Sequence, residues 1–374
     1  MSRADGAVLL TGATGFVGME LMARYLERSE RPIITLVRAE NDEAAHARVQ
    51  QVLANLFGAR AQRYAARVEA IAAELTAPGL ALARTRREDL ARRVTTIVHS
   101  AASVSFTLPL HEAREINVEG TRRMLEFAEL ARERGGLLRY GHISTAYVAG
   151  THAGCFAERD LDLGQAFHNS YERSKFEAEQ LVLARAGLPS TIMRPSIVVG
   201  DRRSGWTSAF NVLYWPLRAF ARGLFEAVPA IPSAPVDVVS IDYVADAVHA
   251  LCESGAGSGQ TYHLTAGSQA STMGEIAGLA SRYFRRPLPQ VLPPAEFAAL
   301  KRGAVELSAL DASRAYFPYF SIGTVFDDKA SRARLEPKGI HASPLHEYLE
   351  RLLDFATRSR WGKRPISRVD AFAT

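Results

Sequence analysis

Between Ala7 and Leu264 the chain alternates short apolar, β-branched runs with longer segments whose apolar residues recur every three or four positions. Ala7-Val8-Leu9-Leu10-Thr11, Ile33-Ile34-Thr35-Leu36-Val37, Thr95-Thr96-Ile97-Val98-His99, Leu137 to Ile143 and Thr191-Ile192-Met193 are the strand-like runs. Helical spacing fills the gaps, as in Phe16, Val17, Leu21, Met22, Tyr25, Leu26 and in Met124, Leu125, Phe127, Ala128, Leu130, Ala131. Strand and helix in alternation predict an α/β fold, a doubly wound parallel sheet covered on both faces. The Ala/Arg-rich stretch from Asn41 to Arg93 reads as helical throughout, although such a sheet wants a third strand near Arg67 to Leu75. The local pattern does not decide.

The first apolar run enters Gly12-Ala13-Thr14-Gly15-Phe16-Val17-Gly18 and then a helical pattern. Gly12 permits a tight turn after the strand, Gly15 lets the backbone approach a pyrophosphate, and Gly18 lets the helix pack closely on the sheet. With a strand before it and a helix after it, the turn predicts dinucleotide binding, against the alternative of an ordinary glycine-rich strand-to-helix turn.

Beyond Gly200 the character changes. Trp206 to Pro235 is rich in aromatics and prolines, Val236 to Ile241 and Thr261 to Leu264 are strand-like, and Ser271 to Tyr283 and Leu345 to Phe355 are helical. The expected division is a dinucleotide-binding domain over 1–200 and a smaller, mostly helical substrate-binding part over 201–374. Strands near 236–241 and 261–265 are expected to rejoin the sheet. The tail after Arg358, with Arg360, Lys363, Arg364 and Arg368, is expected to be a disordered or surface-bound end.

Composition narrows the classes. The chain has 374 residues, 47% of them hydrophobic, and no apolar run long enough to span a bilayer. Met1 to Gly6 lacks the regions of a secretion signal, so a cytoplasmic protein is expected. Cys155 and Cys252 give no metal motif and no disulfide framework, and are expected to be semi-buried thiols. The net charge of +5 is spread along the chain, which suits anionic small molecules better than nucleic acid.

Tyr171-Glu172-Arg173-Ser174-Lys175 places a tyrosine and a lysine one helical turn apart, on one face. A phenol titrates near pH 10, and an adjacent ammonium lowers that value, so the pair could exchange a proton near neutrality. On its own the spacing is common on exposed helices. Together with the glycine turn, Thr145 in Ile143-Ser144-Thr145-Ala146-Tyr147, and Asn117 in Ile116-Asn117-Val118-Glu119-Gly120-Thr121, the chain resembles the extended short-chain dehydrogenase/reductase superfamily over about its first 265 residues. Leu36-Val37-Arg38-Ala39, Val98-His99-Ser100-Ala101-Ala102-Ser103-Val104-Ser105-Phe106, Asn117 to Thr121, Tyr171 to Glu179 and Met193-Arg194-Pro195-Ser196-Ile197-Val198-Val199-Gly200 resemble its thioester reductase branch. That branch includes fatty acyl-CoA reductases and the terminal reductase domains of carboxylic acid reductases and modular synthetases.

The resemblance implies a Rossmann domain and a set of roles. Tyr171 would protonate a substrate carbonyl oxygen, Lys175 would hold the nicotinamide ribose and depress the phenol, and Thr145, with Ser144 as rival, would be the second hydroxyl on the carbonyl. Asn117 would support Lys175 through a water, or cap a helix. Cofactor contacts would come from Gly12, Thr14, Gly15, Phe16, Val17, Gly18, Ser100, Ala101, Ala102, Tyr171, Lys175, Pro195 and Ser196. Arg194 would be either a contact near the nicotinamide or a salt-bridged structural residue. The second strand ends in Arg38 where an NAD-preferring turn carries an acid, which favours NADPH, unless Arg38 merely stacks on the adenine of NADH. Relatives carry Gly-Asp-Leu where this chain has Ala73-Glu74-Leu75, which puts the adenine contact in doubt.

The implied activity is NADPH-dependent hydride transfer to an acyl thioester, held on coenzyme A or an acyl carrier, or to the derived aldehyde. The alternatives are an extended short-chain reductase acting on an apolar ketone or hydroxy substrate, a non-catalytic NADP sensor, and a scaffold whose basic tail binds a membrane. An aromatic stripe from Trp206 to Phe225 could line an acyl channel or simply form core. Arg202, Arg203, Arg218 and Arg222 beside it could receive phosphates or face solvent.

Overall fold

The computed structural model describes residues 6–224, 227–253, 259–299 and 316–373. Its main sheet is built from β1 (Ala7–Thr11), β2 (Ile33–Val37), β3 (Val68–Ala72), β4 (Val94–His99), β5 (Arg139–Ile143), β6 (Ser190–Pro195) and β7 (Gln260–Leu264). All neighbours are parallel, in the order β7-β6-β5-β4-β1-β2-β3. The order reverses between β1 and β4, so a crevice opens at the carboxyl ends of these two strands.

Six helices cover the sheet: α1 (Phe16–Arg28), α2 (Asp42–Phe57), α3 (Arg84–Arg93), α4 (Gly120–Gly135), α5 (Ser170–Leu183) and α6 (Ile241–Glu253). Successive strand residues go to opposite layers. Val8 and Leu10 pack with α1, α2 and α6, whereas Leu9 packs with α3 and α4. Both faces are dry, which explains why β1 and β2 read as unbroken apolar runs. Truncating Leu9, which is fully buried, to alanine is worth about 2–5 kcal/mol of stability.

The region left open between Asn41 and Arg93 contains the third strand. β3 pairs with β2 at five successive positions, from Ile33 with Val68 to Val37 with Ala72, and that pairing overrides the helical composition around it. Of the two segments expected to rejoin the sheet, only β7 does so. Val238–Ser240 pairs instead with Ile197–Val199, because β7 already occupies the edge of β6 and the chain leaves the sheet after Pro195. It then continues directly into α6, which packs on α1, so this stretch of the second part belongs structurally to the first.

The remaining core of the second part gathers Leu213, Tyr214, Leu217, Phe220, Val238, Ile276, Phe320, Leu349 and Leu352, and takes in Ile197 and Val199 from the end of the first. The aromatic stripe is mostly core: Trp206, Tyr214 and Phe220 are buried, Trp215 is exposed, and Phe225 lies outside the described residues. Tyr214 accepts from the Gly200 amide through its hydroxyl, and the Trp206 indole donates to Ile366 O.

The tail expected to be a disordered or surface-bound end folds back onto the protein itself. A short helix, Arg368–Phe372, lies against α2, with the Arg368 guanidinium paired to Glu20 at 2.6 Å and Glu27 at 3.5 Å on α1. Glu20 is buried and needs that charge, which is why a basic tail folds back here. Of the cysteines, Cys155 is exposed and Cys252 is buried. Among the described residues no helix is long and apolar enough to cross a membrane, and no cluster of His, Cys, Asp or Glu could hold a metal ion.

Candidate active site

Two of the three glycines are required by contact. Gly12 has φ +74°, and a Cβ there would lie 2.8 Å from the Ala101 nitrogen; a Cβ at Gly18 would lie 2.0 Å from the Gly12 oxygen. Gly15 precedes α1 without a side-chain cap, so the first amides of the helix are free to receive an anion. The turn thus fits the pyrophosphate of a dinucleotide: the Gly15 amide closes the turn on Gly12 O at 2.9 Å, the absence of side chains lets an anion approach the backbone closely, and no side chain caps the start of α1. Thr14 and Phe16 stand at its two sides, against Arg48 and Trp206 respectively, while Val17 packs partly into the core.

The opposite wall is the loop Ser100-Ala101-Ala102-Ser103, tied down by a hydrogen-bond chain that begins at β1. Thr11 Oγ1 accepts from the Ser100 and Ala101 amides at 3.2 and 3.1 Å. Its proton therefore goes to His99 Nδ1 at 2.8 Å. His99 must then carry its proton on Nε2, which faces Thr121 Oγ1 at 3.3 Å, and Thr121 donates in turn to Asn117 O at 2.7 Å. Burial, with a smaller contribution from Lys175, holds the His99 imidazole down to about 3, so it stays neutral.

Asn117 sits in a π-helical turn, Glu115–Glu119, rather than at a helix N-cap. Its amide closes both backbone groups of Ser103, at 2.7 and 3.0 Å, and donates to Ser174 Oγ at 2.9 Å. Asn117 thereby braces the cofactor-side loop against α5, one residue from Lys175.

Tyr171 and Lys175 project from the first turns of α5. The Thr145 hydroxyl lies near enough to the Tyr171 phenol to favour its ionised form, accepts from the Tyr147 amide at 3.3 Å and donates to Pro195 O at 3.5 Å. Ser144, its rival, is buried beside β6, where its amide donates to Met193 O. Burial pushes the Tyr171 phenol up to about 12, against the lowering by Thr145, and the Glu172 charge raises it further. The expected depression by Lys175 is absent because the Lys175 ammonium is turned to Ile143 O at 2.7 Å. Burial lowers that ammonium to about 8.

Arg194 takes the structural of its two alternatives. It is fully buried, paired with Glu179 through Nη2 at 2.7 Å and through Nε, with Nη1 on His263 Nε2 at 3.2 Å. Its guanidinium therefore points into the protein interior, and of the Arg194-Pro195-Ser196 segment it is the Pro195 carbonyl that reaches Thr145.

At the other end of the crevice Arg38 is exposed at the end of β2. Arg48 on α2 reaches the same place, donating to the Arg38 carbonyl and to Thr14 Oγ1 at 3.5 Å. Glu74 accepts from the Thr76 amide and hydroxyl at 3.2 and 3.1 Å, which closes its own turn.

Residues to which the sequence reading gave no role complete the site. Phe106 stacks on Tyr171 with centroids 5.7 Å apart and on Tyr319 at 5.3 Å. Tyr319 also reaches Glu172, whose carboxylate is buried. Of the basic residues beside the aromatic stripe, Arg202 pairs with Asp242 at 2.9 Å, Arg203 lies over Phe372, and Arg218 lies over Trp215.

The family described as Male sterility protein matches residues 10–248. A non-canonical nonribosomal peptide synthetase, cpsA, of Aspergillus campestris (strain IBT 28561) is 29% identical over 276 residues, covering 70% of this chain and 26% of that protein. The fatty acyl-CoA reductase wat of Drosophila melanogaster is 30% identical over 243 residues, covering 57% of this chain and 46% of that protein. The chain thus spans about a quarter to a half of the length of these relatives. Among solved structures, the terminal R domain from the myxalamid PKS-NRPS biosynthetic pathway superposes with a TM-score of 0.84 at 25% identity, covering 98% of this chain and 94% of that one. A thiolation-reductase di-domain from an archaeal non-ribosomal peptide synthetase gives 0.75 at 22% identity, with 96% and 76% covered.

Proposed function

The chain belongs to the male sterility protein family, and on that premise we propose that it is an NADPH-dependent reductase of acyl thioesters, or of the aldehydes they yield. The observation that carries this reading is that Thr145, just past the carboxyl end of β5, stands beside the Tyr171 phenol of α5, one helical turn from buried Lys175 and on the side of the sheet where the glycine turn lies. Bound there, a reduced nicotinamide supplies hydride to a carbonyl carbon. The protein's part is to hold the carbonyl oxygen on two hydroxyls as charge develops on it, and Tyr171, still protonated far above neutrality, then gives its proton. For a thioester the product is a hemithioacetal, whose collapse releases thiol and aldehyde.

Gly12, Gly15 and the first amides of α1 would hold the pyrophosphate, with Ser100 to Ala102 closing the opposite side. Arg38 and Arg48 favour a 2′-phosphate, because two guanidinium groups can bind it with charge-assisted bonds where an acid would repel it. Lys175, freed from Ile143, would hold the nicotinamide ribose. The decisive experiment incubates the protein with NADPH and either acyl-CoAs from short to long or the matching aldehydes, following nicotinamide absorbance. Oxidation of NADPH with acyl-CoA supports thioester reduction, oxidation with aldehydes alone reduces the reading to an aldehyde reductase, and oxidation with neither overturns it.

A further inference from the structure

We propose that Tyr319 is a positioning residue for Tyr171, acting through Glu172, Asn169 and Phe106; the inference rests on the reading of Tyr171 as proton donor. Tyr319 arrives from a single turn, Phe317–Phe320, in the second part of the chain, 147 residues beyond Glu172. Its hydroxyl accepts from Asn169 Nδ2 at 2.8 Å and donates to Glu172 Oε1. Those two residues flank Tyr171 in sequence and start α5: Asn169 caps the helix by accepting from the Glu172 amide at 3.0 Å. The second oxygen of Glu172 takes the His168 amide at 2.8 Å and faces His168 Nδ1 at 3.1 Å. A buried carboxylate is thus saturated by donors, one of which comes from the distant segment.

The ring of Tyr319 performs the second half of the task. Phe106 stacks on both Tyr171 and Tyr319, inclined by 28° to the first and 23° to the second, so its ring links the other two. Tyr147 meets Tyr319 edge-on at 4.8 Å and keeps it from sliding. Both the backbone that carries Tyr171 and the plane of its ring are therefore referred to one side chain. Core packing alone would be met by phenylalanine, since it needs the ring and not the hydroxyl. A proton donor must instead be aimed, and misplacement by about 1 Å can cost on the order of 10²-fold in rate.

The test compares wild type, Tyr171→Phe, Tyr319→Phe and Phe106→Leu in single-turnover NADPH oxidation with octanoyl-CoA or octanal, alongside NADPH binding by fluorescence titration. Tyr319→Phe is expected to slow hydride transfer about tenfold or more while NADPH affinity and substrate KM stay within about twofold. Phe106→Leu, which keeps apolar volume without a flat ring, is expected to show the same split and serves if Tyr319→Phe does not fold. A wild-type rate in a folded Tyr319→Phe, with Tyr171→Phe inactive, overturns this proposal alone. Parallel loss of NADPH binding and rate marks a merely structural role and also overturns it. An active Tyr171→Phe overturns the reading on which it rests.

Discussion

Lys175 donates to the Ile143 carbonyl at 2.7 Å, so in this structure its charge is stored beside Tyr171 rather than placed on it. The two groups then titrate far apart: burial brings the ammonium down to about 8 and carries the phenol up to about 12. As pH rises through about 8 the free protein loses the positive charge meant for the cofactor, whereas Tyr171 keeps its proton. The value of kcat/KM for NADPH is expected to fall across that range, and Lys175→Met should abolish the fall along with most of the affinity. Stability runs the other way. Between pH 8 and the ordinary lysine value the unfolded chain binds more protons than the folded one, so this group's contribution to stability rises with pH. A drop in activity that tracks unfolding, or one that survives in Lys175→Met, would assign the limb to another group.

Tyr171→Phe removes one hydroxyl and leaves the ring stacked on Phe106. General acid catalysis of this kind contributes about 10²–10⁴-fold. Turnover should fall by that order while NADPH binding is unchanged, since no hydrogen bond of the glycine turn involves the phenol. Steady-state rates and a fluorescence titration on the same preparation check the pair of outcomes, and near-normal turnover would end the assignment.

Arg48 was invisible beside Arg38 in the sequence because it lies ten residues later, on a helix, and meets Thr14 only in the fold. With two guanidinium groups at the end of β2, Arg48→Ala should weaken NADPH on the order of tenfold and leave NADH nearly unaffected. Arg38→Asp should go further and move the preference toward NADH, because its carboxylate repels a phosphate and accepts from a ribose hydroxyl. The ratio of kcat/KM for the two cofactors is the readout. An unchanged ratio in both variants would mean that neither residue reads the 2′ position.

What could be read in advance was local. The glycine turn and the Tyr171–Lys175 pair each lie within a few residues, Thr145 was reached only through the family resemblance, and strands β1, β2 and β4 are marked by burial on both faces. β3 was ambiguous because Val68-Glu69-Ala70-Ile71-Ala72 is short and set among helix formers, and its strand state comes from pairing with β2. The Trp206 to Phe220 aromatics carried a true signal of burial, but periodicity cannot tell a channel from a core. Phe106, Glu172 and Tyr319 meet only through tertiary packing, so no spacing could have linked them. The basic tail could not be placed for a related reason: its charge allowed a disordered or surface-bound end, and Glu20, its buried partner 348 positions away from Arg368, declares nothing locally.

Arg194 provides the sharpest separation between a structural and a cofactor role. It and Glu179 expose 1% and 0% of their side chains and form a bidentate pair, with His263 kept neutral beside them by burial and by the Arg194 charge. Removing one member of such a pair leaves the other charge buried and uncompensated, at a cost of about 3–5 kcal/mol. Arg194→Met should therefore lower the urea midpoint strongly. Replacing both, Arg194→Met with Glu179→Leu, should recover most of the loss, because two apolar groups of similar volume no longer need each other. The folded fraction of either variant should bind NADPH with wild-type affinity, since the guanidinium faces Glu179 and His263 rather than the crevice. A stable Arg194→Met protein with weakened NADPH binding would reverse this assignment and return the residue to the cofactor site.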